Sequence, residues 1–430
     1  MLTRLRSIPR FALPYTSGDF GAALMALLRP TPPPDTFGLL GDSPKFWTRS
    51  GRQALRLLLT ALDLKPGAGV ALPLFTDPSL AVAIAAAGHR PVFIDVDRES
   101  LTMDPQSLDA AAGEFSAVVA VHLFGQLADI PSLLATAGSA AVFEDTAHAP
   151  LSFLDGKMAG EFGRASFYSF ASTKYWPAGG GGLAVVHDAE LAERVRRGAL
   201  ALTSQSRVQE FRTLMLQGAK SAVFNRNLYG IFGRPMRRWA EQWALLEPTL
   251  DMMAIQRAHA AVARRQTSGF PSRVERQRAN SLRLLSRLEG VEDVILPRER
   301  SGVRYNYHLF PVLLRDSRER TAVRAAMWDR FVDTSTLYSE SIEKCRAFGY
   351  RGGCPVAESV ACRLITLPNF AGLTGEEIDA VAQIFLASLR NYRAVHHGSP
   401  SVSFSARTTP RRELSPRTGS FPLPEPERKL

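Results

Sequence analysis

The 430-residue sequence predicts an α/β fold: a large domain on a mostly parallel sheet, followed by a smaller α+β C-terminal domain. Two patterns carry this expectation. Short apolar runs alternate with amphipathic stretches of helical length, the signature of repeated βαβ units. The runs are apolar almost throughout, as strands covered on both faces require. Length adds a third argument, because a chain of 430 residues exceeds what one hydrophobic core organises.

Residues 1–45 form a preamble, with a helical stretch in GDFGAALMALL and a proline-rich break in RPTPPPDTFG. The large domain is expected over 46–290. Its first helix is GRQALRLLLTAL, with apolar residues at i, i+3, i+4 and i+7. Strand GVALP, helix SLAVAIAAAG, strand PVFIDV, helix SLDAAAG, strand SAVVAVHLF, helix IPSLLATAG and strand AAVFED follow in turn. Two further strand-like runs, ASFYSF and GLAVVHD, flank Lys174. Residues 205–248 read as a basic, aromatic-rich helical insertion. In it Trp239 and Trp243, beside Arg234, Arg237 and Arg238, give an apolar-aromatic stripe. The small domain is expected over 291–396, from the strand NYHLFPVLL to the helix TGEEIDAVAQIFLASL. The Ser/Pro/Arg-rich tail, 397–430, has too few large apolar side chains to fold alone and is expected to be disordered.

Composition narrows the function classes. The net charge is +11, but the basic excess between about Arg194 and Arg287 is mixed with apolar residues at helical spacing. No nucleic-acid-binding motif accompanies it, so nucleic acid is not an expected partner. An ordinary solvated basic face is the plain reading, with phosphate-bearing substrates or peripheral contact with an anionic membrane surface as the alternatives. No apolar run approaches the roughly 18 residues of a membrane span. The basic N-terminus lacks a compact apolar segment with a cleavage site, so a cytoplasmic location is expected. Cys345, Cys354 and Cys362 have neither disulfide-framework nor zinc-site spacing, and no metal site is expected.

Parallel sheets bind ligands at the carboxyl ends of their strands, and three features fall there. Asp145 closes the strand AAVFED; a buried carboxylate needs a cationic partner, and a protonated pyridine nitrogen is one. Lys174 follows an apolar, aromatic strand, where desolvation favours the neutral amine that Schiff-base formation needs. Ser50-Gly51-Arg52-Gln53 opens a helix whose N-terminal N–H groups suit a phosphate, and the Ser169 hydroxyl lies within reach of the same group. Each signal alone is weak. Their order (phosphate loop, aspartate at a strand end, then lysine) is that of a fold-type-I enzyme dependent on pyridoxal 5′-phosphate (PLP). His122 is read as a histidine packing at a strand end rather than as a catalytic group.

The sequence resembles the DegT-type nucleotide-sugar aminotransferases, from about residue 15 to 390. The segments AGHRPVFIDVD, VAVHLFGQLAD, VFEDTAHAP, SFYSFASTKYWPAGGGG and CPVAESVACRLITLPNFAGLTGEEI match family blocks in order. The resemblance implies PLP on Lys174, which also shuttles the proton, with Asp145 on the pyridine nitrogen and His148 near the ring and its phenolic oxygen. It implies phosphate contacts from Gly51, Arg52 and Ser169, with Gln53 in the same loop. It further implies transfer of an amino group from an amino-acid donor, usually glutamate, to a nucleotide-linked keto sugar, by a homodimer with sites at its interface.

The departures fall on substrate-facing parts. The family's aromatic over the cofactor ring falls near Asp77, leaving Phe75 as the candidate for stacking unless the cofactor is held differently. Gly180 stands where a glutamate is common, and Arg164 where an aspartate is. The Asn-Tyr-Arg segment that reaches a neighbouring subunit's phosphate is replaced by the insertion, and the H-x-P-x-H-type stretch is blurred in TLYSESIEKC. Two alternatives stay open: a non-catalytic binding or scaffold protein, and a dehydratase-like relative. Such dehydratases carry histidine in place of the lysine, which Lys174 argues against.

Overall fold

Alternating apolar runs and amphipathic stretches fold as expected, with strands stacked side by side and helices on both faces. The computed structural model describes residues 6–28, 38–226, 228–237 and 251–397. The proline-rich break at 29–37, the Trp239/Trp243 stripe and residues 398–430 of the tail lie outside the described residues.

The strands are β1 (Lys45–Thr48), β2 (Gly69–Pro73), β3 (Arg90–Ile94), β4 (Ala117–Val121), β5 (Ala141–Asp145), β6 (Phe153–Leu154), β7 (Lys157–Met158), β8 (Ala165–Ser169), β9 (Gly182–Val186), β10 (Val303–Arg304), β11 (Phe310–Leu313) and β12 (Leu364–Leu367). Among the described residues, seven of them form one sheet in the order β1-β9-β8-β5-β4-β2-β3. Only β9 runs against the rest. β1, inside a stretch read as preamble and loop, is an unexpected edge strand: it pairs antiparallel to β9 through Lys45–Thr48. Its sequence, KFWT, is too short to show a period.

The helices are α1 (Ser17–Leu28), α2 (Gly51–Ala61), α3 (Ser79–Ala86), α4 (Pro105–Ala110), α5 (Ile130–Ala137), α6 (Ala189–Leu200), α7 (Arg207–Val223), α8 (Arg257–Gln266), α9 (Phe270–Leu288), α10 (Ser317–Asp329), α11 (Ser341–Arg346), α12 (Pro355–Arg363) and α13 (Gly375–His397). Successive strand residues feed opposite faces. Val70, Leu72, Val119, Val121 and Phe143 join the core under α2 and α3, whereas Ala71, Val118, Ala120 and Val142 pack toward α4 and α5. A separate core gathers β11, β12, α10 and α13. The long helix α9 joins the two regions: Phe270 and Val274 pack beside Trp176, and Leu284 and Leu288 lie in the core with α13.

The insertion is helical over α7 and then bends through a π-type turn at Tyr229–Gly233. Its basic residues tie onto the C-terminal region. Arg226 bonds Glu377 and the Gly372 carbonyl, Arg237 pairs with Asp333 at 3.0 Å, and the Tyr229 hydroxyl donates to Asp333. Arg234 lies over the rings of Trp328 and Phe331.

Candidate active site

The carboxyl ends of β4, β5 and β8 and the N-terminus of α2 open onto one cavity of about 1230 Å³. Gly51, Arg52, Asp145, His148, Ser169 and Lys174 all line it. Residues far apart in sequence, expected to act together, are thus brought together.

Asp145 ends β5 because the preceding apolar run is buried on both faces. Its Oδ1 accepts the Ala147 N–H at 2.9 Å. Burial pushes its pKa up from 3.8 to about 6, against the pull of the Lys174 charge and that N–H. Its neighbour Glu144 points to the other face. There it accepts the N–H groups of Gly160, Phe162 and Gly163 at 2.7–2.8 Å and meets His122 Nε2 at 3.0 Å. Burial alone would raise the Glu144 pKa, but His122 and these N–H groups pull it below the usual carboxylate range. His122 Nδ1 accepts the Ala128 N–H, so its proton sits on Nε2 and donates to Glu144. His122 is a packed, fully partnered residue, as expected.

His148 Nδ1 accepts the Phe124 N–H at 3.3 Å, and its Nε2 lies 2.8 Å from Lys174 Nζ. Burial, the Lys174 charge and His308 hold its pKa well below 6.5. The neutral ring therefore carries its proton on Nε2. That proton is satisfied when Lys174 presents its lone pair, the form in which an amine is a nucleophile.

Ser50 caps α2, its hydroxyl accepting the Gln53 N–H at 3.4 Å. The Gly51 and Arg52 N–H groups are left to face the cavity at the positive end of the helix. A Cβ on Gly51 would lie 3.0 Å from Ser169 Cβ and 3.3 Å from the Tyr168 carbonyl, which places the first turn of α2 against Ser169. An anion cradle, a buried carboxylate and an amine lining one cavity form the donor set of PLP, and the residues present fit it.

Two expected contacts lie elsewhere. Gln53 turns away from the cavity: it donates to the Asp251 carbonyl at 2.6 Å and accepts the Met253 N–H at 3.2 Å. Phe75 is fully buried, packed on Phe124 and edge-on to Tyr338, and does not line the cavity; the wall there is Thr76 and Asp77. Its place in a completely apolar run, LPLF, accounts for this. The departure at Gly180 has a structural counterpart, because a Cβ there would sit 2.6 Å from Cε1 of the buried His259. Missed by the sequence reading are His308, Tyr338, Arg273 and Arg276, which all line the cavity from the C-terminal half. Their positions depend on α9 and on the loops at 305–308 and 335–338, which local pattern does not place.

The profile of the DegT/DnrJ/EryC1/StrS aminotransferase family matches residues 40–386. The chain belongs to that family. It is therefore a transferase, a PLP-dependent aminotransferase, in the fold-type-I class. A pleiotropic regulatory protein of Geobacillus stearothermophilus is 30% identical over 80% of this chain and 84% of its own. The UDP-N-acetyl-3-dehydro-alpha-D-glucosamine 3-aminotransferase of Acidithiobacillus ferrooxidans is 28% identical over 87% of this chain and 90% of its own. In fold, the chain resembles the aminotransferase TlmJ of Streptoalloteichus hindustanus, with a TM-score of 0.72 at 23% identity, over 90% of this chain and all of that one. It also resembles a sugar aminotransferase of Micromonospora echinospora, with a TM-score of 0.68 at 21% identity, over 88% and 99% of the two chains.

Proposed function

We propose that this family member transfers an amino group from an amino-acid donor, glutamate in the first instance, to a nucleotide-linked keto sugar, in surface-polysaccharide or secondary-metabolite synthesis. The observation that carries the reading is the charge of the cavity wall. Beyond Lys174, it is lined by Arg10, Arg52, Arg226, Arg273, Arg276 and Lys344, and the acids on it are Asp77 and Asp145, at the cofactor end. An outer wall of one sign suits a diphosphate. The UDP-sugar aminotransferase among the relatives points the same way.

In this reading the phosphate is anchored by the N–H groups of Gly51 and Arg52 with the Ser169 hydroxyl, and Asp145 holds the proton of the ring nitrogen. Bound there, PLP supplies an electron sink for the carbon beside the transferred nitrogen. With the cofactor bound, Lys174 Nζ would move the proton at that carbon, and neutral His148 would hold the amine in position through Nε2. The large domain ends, and the smaller one begins, near the end of α9. The enzyme is cytoplasmic and a homodimer, a state that light scattering reports directly.

The test is a panel of nucleotide-keto sugars incubated with glutamate and read by mass spectrometry. An aminated product formed by wild type and absent with Lys174→Ala supports the reading. Amination of none of the panel overturns the nucleotide-linked keto sugar as the acceptor.

Contact with an anionic membrane is a second part of the proposal. On α7, Val208, Phe211, Met215 and Leu216 are exposed beside Arg207 and Arg212. Sedimentation with anionic vesicles should require residues 205–248; binding that survives their deletion counts against it.

A further inference from the structure

His308 lines the cavity, and its surroundings fix it closely. Its ring lies 4.7 Å from the His148 ring and stacks on Tyr175 at 5.2 Å. The residue before it, Tyr307, sits at φ 51°, a conformation that costs a non-glycine residue energy and persists only where its surroundings impose it. The surroundings do so. Gln277 Nε2 donates to the carbonyls of Tyr307 and His308 at 2.9 and 2.8 Å, and Asn369 Nδ2 donates to the Tyr307 carbonyl at 2.9 Å. The His308 N–H donates to Asn306 Oδ1 at 2.8 Å. Asn306 in turn donates to the carbonyls of His148 and Pro150, tying the loop to the residue beside Lys174. Gly125, at φ 92°, lets the backbone pass, since a Cβ there would overlap Asn306 Oδ1.

This network orients a side chain whose ring nitrogens have no hydrogen-bond partner among the described residues. A buried polar group held rigidly, unpaired and facing a cavity is built to meet a ligand. We propose that the His308 imidazole reads the sugar, by hydrogen-bonding the hydroxyl on the carbon next to the keto carbon.

The chemistry of the ring selects that partner. Burial, and then the Lys174 charge, push its pKa from 6.5 down to about 3, so it is neutral at working pH. A neutral imidazole offers one donor and one acceptor, as a hydroxyl does. The donor's carboxylate offers acceptors only and is matched by the guanidinium of Arg273 on the same wall. The contact therefore belongs to the sugar half of the reaction and not to the amino-acid half.

The inference rests on the keto-sugar reading, and one experiment separates the two. In cofactor-loaded wild type, His308→Leu and His308→Gln, each half-reaction is followed alone by stopped-flow absorbance, with thermal melting as a check on folding. The donor half should change less than about twofold. The kcat/KM of the sugar half should fall about 10- to 100-fold in His308→Leu, with partial recovery in His308→Gln, which keeps a donor and an acceptor. A keto-sugar analogue lacking that hydroxyl should bring wild type down to the level of His308→Leu and leave the variant unaffected. An equal fall in both halves, or an unchanged sugar half, overturns the contact alone, as does a variant that still discriminates the analogue. A wild type that accepts amino groups but passes them to no keto sugar overturns the substrate class and the contact with it.

Discussion

Replacing Asp145 by asparagine should stabilise the cofactor-free protein while disabling the enzyme, and the gain should depend on pH. The Asp145 carboxyl sits at the end of β5, buried, with one N–H bond and a pKa raised from 3.8 to about 6. A carboxyl whose folded pKa is raised keeps its proton in the native state after the unfolded chain has released its own. The native state then loses stability as pH climbs from about 4 to about 6, and nothing more above that. A rise of that size corresponds to about 3 kcal/mol at pH 8 and about 1 kcal/mol at pH 4.5. Asparagine does not titrate and escapes this cost. Urea unfolding of cofactor-free wild type and Asp145→Asn at the two pH values should therefore give a gap that favours the variant and widens by about 2 kcal/mol. In the loaded enzyme the ring nitrogen provides the missing cation, so the advantage should vanish there. Activity should fall by at least about 100-fold, the scale of losing one preorganised electrostatic partner. A gap that stays flat with pH, or a wild type more stable at pH 8, would refute the account of Asp145 as a carboxylate waiting for a cation.

Other substitutions probe the supports of the same site. Glu144→Ala leaves His122 and three backbone N–H groups without their acceptor, and should cost about 3–5 kcal/mol in denaturant unfolding. A loss below about 1 kcal/mol would show that water replaces the carboxylate. Gly51→Val drives a branched side chain against Ser169 and should raise the dissociation constant of PLP at least about tenfold by equilibrium dialysis; an unchanged constant would remove the α2 terminus from the phosphate site. Arg276→Ala should raise KM for a nucleotide sugar severalfold and flatten its dependence on salt, with kcat little changed, since an exposed cation on the outer wall acts through binding. An unaltered salt dependence would place the diphosphate elsewhere.

How far the sequence exposes the site depends on which physics sets each residue's position. Lys174, Asp145 and Ser169 end or follow strands whose apolar runs are self-evident, so their place at the cavity follows from period and from the rule for parallel sheets. Gly51 and Arg52 follow from the helix start that Ser50 caps. Phe75 and Gln53 have the right sequence neighbours but the wrong direction, because a residue's side is decided by packing: Phe124 and Tyr338 claim Phe75, and the 251–253 backbone claims the Gln53 amide. β1 and His308 are harder still. β1 is four residues long and defined only by β9, a partner more than 130 residues away. His308 lies within a run, NYHLFPVLL, that reads as one strand, but β11 begins only at Phe310. Asn306, Gln277 and Asn369, drawn from three separate stretches, hold the preceding residues out of the sheet. A polar side chain at the head of an apolar run is ordinarily just the last solvated residue before a strand. It becomes a feature of the site only when long-range bonds stop the strand short, and such bonds leave no periodic trace. The cofactor end of the cavity, built by local rules on the sheet, was therefore legible, while the substrate end, built by contacts between distant loops, was not.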